Sequence, residues 1–82
     1  MSTHDLNARI PLAFLLAGAR AQVDTLGEAI DATQREQIIA YGLSPGRMLT
    51  VLQQHPMTLL MVDEVELALE NSVARHVWVT RQ

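Results

Sequence analysis

The chain has 82 residues, 49% of them hydrophobic, with six basic residues against nine acidic ones, a net charge of −3 and no cysteine. That length makes one small domain, and that apolar share excludes a disordered chain. It also excludes a disulfide framework, a cysteine-ligated zinc site and the basic face of a nucleic-acid binder, and a cysteine-free chain suits the cytoplasm.

Met1–Arg9 is polar and reads as a flexible N-terminal arm, leaving residues 10–82 as the domain. Pro11 and Gly18 bracket the apolar stretch Pro11–Leu16, which reads as a turn-like plug. The surrounding run Ile10–Ala19 is about half of the ~20 residues needed to cross a bilayer, so no membrane insertion is expected. The run followed by Ala19-Arg20-Ala21 resembles a short signal peptide, but His4 and Asp5 before it and Arg20 inside the cleavage motif argue against secretion.

Ala19, Ala21 and Val23 alternate with Arg20, Gln22 and Asp24, which predicts a half-buried strand. Leu26 breaks that alternation as a β-bulge does. A helix is predicted over about Ala32–Tyr41, with Asp31 or Thr33 as its cap and Ile38, Ile39, Arg35 and Leu43 forming its buried stripe. Gly42 suits a left-handed helix stop, and Pro45-Gly46 suits a type II turn.

Arg47–Gln53 and Met57–Val62 read as the second and third strands, separated by a Gln54-His55-Pro56 turn. Asp63-Glu64 reverses the chain into a fourth strand with Val65, Leu67 and Leu69 on the inner face. Asn71-Ser72 caps a short turn, and Val77 and Val79 point inward on a last strand, opposite His76, Trp78 and Thr80. The sum is a mainly β fold of about five short strands in a closed or nearly closed barrel, with one α-helix between strands one and two.

No catalytic constellation is legible. The chain lacks HExxH and the phosphate-binding loop, and its serines have capping, turn or tail explanations. His55 and His76 could hold a divalent ion with a nearby carboxylate, or serve only as solvated turn and strand-end residues. Asp63, Glu64, Glu66 and Glu70 form an acidic edge whose carboxylates could accept a hard divalent ion such as Fe²⁺, or serve only for solubility. Trp78 is the candidate partner-binding residue, unless the Leu12–Leu16 plug covers it, and Phe14 and Tyr41 are expected in the core. With Phe14, Tyr41 and Trp78 as its whole aromatic complement, the chain lacks the groove of a polyproline reader.

The order of these pieces resembles the ferrous iron transport protein A (FeoA) family across roughly Leu12–Val79. The resemblance is carried by Arg35-x-x-Ile38-Ile39-x-Tyr41-Gly42-Leu43-x-Pro45-Gly46, then Leu49-x-Val51-Leu52, and the ending Leu67-Ala68-Leu69 with Val73-Ala74-x-x-Val77-x-Val79. Tyr41 departs from the family's usual leucine, and Asp63-Glu64 from its usual glycine-bearing turn. The resemblance implies an SH3-like barrel and a cytoplasmic, non-enzymatic accessory to ferrous iron uptake. Its implied partner is the GTP-binding part of the membrane iron transporter FeoB. The alternative is a regulatory module that binds Fe²⁺ or Zn²⁺, similar to the C-terminal barrels of metal-dependent repressors. No cofactor is required by the first reading, and a homodimer is left open.

Overall fold

The computed structural model describes residues 8–82, so that the arm assigned to Met1–Arg9 lies outside the described residues except for its end. Six strands, β1 (Arg9–Pro11), β2 (Arg20–Leu26), β3 (Met48–Gln53), β4 (Thr58–Val62), β5 (Val65–Leu69) and β6 (Val77–Arg81), pair antiparallel in the order β1-β6-β2-β3-β4-β5. Two helices, α1 (Ala32–Ala40) and α2 (Asn71–Ala74), and a 3-10 turn over Leu12–Phe14 complete the chain.

Three expectations need correction. There are six strands rather than five, because Arg9–Pro11 pairs with Thr80, Val79 and Trp78 of β6. The helix accordingly lies between the second and third strands, and a second short helix stands where a turn was expected. The sheet is open: no ladder among the described residues joins β1 to β5, so hydrogen bonds do not close a barrel. It nevertheless curls around one core, since inward residues of five strands, among them Ala21, Val51, Leu60, Leu67 and Val79, share a single buried cluster.

The helix and its exit follow from local chemistry. Asp31 is the cap, its carboxylate accepting from the Gln34 amide at 2.8 Å, so Thr33 is not needed for that role. At the other end the Leu43 amide donates to the Ile38 carbonyl at 3.1 Å and the Gly42 amide to the Ile39 carbonyl at 2.9 Å. This paired pattern is the Schellman motif, with Gly42 at φ 106° in the conformation that disfavours side chains. Ser44–Arg47 is the expected type II turn, Gly46 having φ 93° and the Arg47 amide donating to the Ser44 carbonyl at 3.1 Å.

Ile38 and Leu43 are buried, but Ile39 faces solvent, and so does Val65 on β5. The bulge before Leu26 is present as expected. Register against β6 shifts between Val23 and Thr25, leaving Asp24 and Thr25 both exposed before Leu26 turns back inward.

Candidate functional site

The chain between β1 and β2 presents the two most exposed large apolar side chains among the described residues. Pro11 enters the 3-10 turn in extended backbone, and the Leu15 amide closes onto the Leu12 carbonyl at 3.1 Å. That tight turn splits the apolar stretch between two sides. Leu12 and Leu15 sink into the core, whereas Phe14 is 71% and Leu16 81% exposed. The stretch is therefore half plug and half surface, and Phe14 is not the core residue expected. Tyr41, at the helix end, is likewise 60% exposed.

A polar network anchors this segment from below. The Gln54 side-chain amide donates to the Leu12 carbonyl at 3.0 Å and to the Leu15 carbonyl at 2.6 Å. The hydroxyl of fully buried Thr58 lies 2.7 Å from Gln54 Oε1 and 2.8 Å from Asn71 Oδ1, and donates its one proton to either. Backbone carbonyls that enter a core unpaired are costly, so this arrangement fixes where Leu12–Leu15 can lie. Two adjoining hollows of about 390 and 430 Å³ open over the network. Ala13, Phe14, Gln54 and His55 line both, and Arg75 also lines the smaller one. The His55–Pro56 peptide bond beside them is cis.

Trp78 lies elsewhere, on the outer face of β6, half-buried. The Arg9 guanidinium stands 5.6 Å from its ring centroid, and a β-carbon built on Gly27 would meet its Nε1 at 3.4 Å. Arg9 reaches on across β6 to the bulge of β2, donating to Asp24 Oδ2 at 3.2 Å, while the Thr25 hydroxyl donates to the same oxygen at 2.6 Å. Those bonds from Thr25 and Arg9, with the arginine's charge, hold the Asp24 carboxyl below its usual range against a weaker opposing effect of burial.

A carboxyl whose folded-state pKa lies below its unfolded one contributes stability above the unfolded pKa, and loses it as pH falls through the folded value. The gap in urea midpoint between the wild type and Asp24→Asn is therefore expected to narrow as pH drops below about 4. An unchanged gap from neutral pH to pH ~2.5 rules this linkage out.

His55 is exposed in the β3–β4 turn and His76 is half-buried just before β6. Among the described residues no group of three or more histidine or carboxylate side chains converges on a shared point. In the acidic edge, Asp63 pairs with Arg47 at 3.1 Å, and Glu64, Glu66 and Glu70 are exposed.

Three structural residues were not legible as such. Gln54 and Thr58 act across 42 and 13 residues of separation, and a pair of glutamines before His-Pro carries no local signal of that. Arg35 was placed on the apolar stripe, yet its guanidinium donates to the carbonyls of Leu26 at 3.0 Å and of Gly27 and Ile30 at 2.9 Å each. It clips the β2–α1 connection to the helix.

The FeoA domain family model matches residues 10–81. The chain belongs to the FeoA domain family. Among solved structures it is similar to an iron uptake regulatory protein (FeoA), with 23% identity over 92% of this chain and 99% of that one, at a TM-score of 0.81. It is also similar to the FeoA protein from Chlorobium tepidum, with 24% identity over 88% of this chain and 70% of that one, at a TM-score of 0.81. A manganese-dependent transcriptional repressor shares the SH3-like fold, with 21% identity over 90% of this chain but 41% of the repressor, at a TM-score of 0.82. Likenesses at such identities speak to the fold. No curated protein matches the chain.

Proposed function

We propose that this FeoA-family domain is a non-enzymatic, cytoplasmic accessory to ferrous iron uptake, which docks on the GTP-binding part of a membrane iron transporter of the FeoB kind and modulates it. The family match over residues 10–81 carries the reading. Two further features support it. The domain exposes Phe14 and Leu16 on a rigidly held segment, which suits recognition of a protein surface. No helix among the described residues is long and apolar enough to cross a membrane, which suits a domain that docks on a separate transporter.

Titration of the isolated domain into the transporter's soluble GTP-binding domain tests the reading. Micromolar affinity is expected, and no binding at several hundred micromolar overturns it. Trp78 enters as a secondary contact on the outer face of β6. With Arg9 already stacked on its ring, Trp78→Ala is expected to weaken binding by only about threefold. Equal affinity of a folded Trp78→Ala variant removes that residue from the interface.

The reading requires no bound cofactor. Calorimetry with Fe²⁺ and Zn²⁺ on the isolated domain is its independent check. A micromolar site abolished by His55→Ala or His76→Ala replaces docking with metal sensing as the function.

A further inference from the structure

We propose that the paired hollows beside Phe14 are the docking surface, and that their occupant is a partner segment carrying bulky apolar side chains next to carboxylates. The proposal rests on the docking function above and names the surface and the chemistry it recognises.

Three observations converge there. The first is apolar area: Phe14 and Leu16, the two most exposed large apolar side chains among the described residues, each stand next to buried Leu15. An aromatic ring and an aliphatic side chain presented together give the kind of anchor on which interface energies concentrate.

The second is rigidity. Burial of Leu12 and Leu15, the Gln54 amide on both their carbonyls, and the bond from the Gly18 amide to the Val51 carbonyl at 2.7 Å hold the segment in place before any partner arrives. Ordering costs that a flexible loop incurs on binding are thereby reduced.

The third is charge. The chain is net −3, yet no carboxylate lines either hollow among the described residues, and Arg75 and His55 do. A guanidinium offers a forked pair of donors matched to a carboxylate. An isologous pair of this chain would set Arg75 of each copy against the same cationic lining, which fits less well than an apolar segment flanked by acidic residues.

The test has two arms. In the first, the transporter's GTP-binding domain is titrated with the wild type, Phe14→Ala and Arg75→Glu. Each variant is expected to bind about tenfold more weakly, and raised salt is expected to weaken the wild type more than Arg75→Glu. Both side chains are exposed, so both variants are expected to fold; a circular dichroism melt verifies it. Unchanged affinity of folded Phe14→Ala overturns the proposed surface while leaving the docking function standing.

In the second arm, amide shifts are recorded on the isolated domain with about 1 mM of a capped pentapeptide alternating aspartate and leucine, and with its lysine–leucine counterpart. Shifts at Phe14, His55 and Arg75 with the acidic peptide alone sustain the surface even if the transporter domain fails to bind. Equal shifts with both peptides, or none with either, overturn it. Concentration-dependent broadening at Phe14 in the protein alone also overturns it, and assigns the surface to self-association.

Discussion

Arg35→Met is expected to destabilise the domain by about 2–4 kcal/mol and to lower its melting temperature by roughly 10–25 °C. The substitution keeps the length of the side chain and removes its donors. The carbonyls of Leu26, Gly27 and Ile30 then lose this donor together, and among the described residues only the Gly27 oxygen keeps another, the Ile30 amide at 3.2 Å. Leu26 and Ile30 are buried, so water re-solvates their carbonyls poorly, and hydrogen bonds from a charged donor are among the costlier ones to lose.

The arginine also joins two elements that no strand ladder connects, since it sits on α1 and grips the end of β2. Arg35→Lys is expected to fall between the wild type and Arg35→Met, because an ammonium cannot reproduce the planar fork. Urea unfolding followed by circular dichroism measures both. A loss under about 0.5 kcal/mol for Arg35→Met means the clip contributes nothing net.

Leu43→Ala is expected to cost about 3–5 kcal/mol. A domain of this size has roughly 4–12 kcal/mol in total, so the variant is expected to be largely unfolded at 37 °C if the wild type lies at the bottom of that range. Leu43 is fully buried and takes part in the Schellman motif at the end of α1, where its amide reaches back to Ile38. The apolar contact that accompanies such a motif pairs these same two positions.

Truncation therefore opens a cavity and loosens the helix stop at once. Leu43→Met, close in volume, is expected to cost under about 1.5 kcal/mol and to separate the cavity from the backbone effect. Equal losses for Ala and Met variants contradict the cavity account.

Both predictions bear on function through the same segments. α1 and its exit are held to the core by Ile30, Ile38 and Leu43, while the Phe14 surface is held by Gln54 and Thr58. The domain thus carries its proposed docking residues on a scaffold whose supports lie elsewhere in the chain. Exposed Phe14 can be exchanged without disturbing those supports, and binding can be measured apart from stability.

What the amino-acid order by itself determined is everything whose partners lie within a few residues. The Asp31 cap, the Gly42 stop, the Pro45-Gly46 turn and the inward Val77 and Val79 were all legible, because each depends on a side-chain type, a backbone angle or a two-residue period. The family was legible too, since those local features recur in a fixed order. The position of Phe14 and Tyr41 was not. Apolar character favours burial, but the core of so small a domain was already filled by aliphatic side chains from five strands, and no local rule says which apolar residue is left outside.

Tertiary structure alone decided the pairing of β1 with β6, the three carbonyls on Arg35 and the reach of Gln54 under the Leu12–Leu15 turn. These contacts are set by where distant segments meet. Their residues are polar or short, their partners are backbone groups of any residue type, and so their sequence carries no mark of the company they keep.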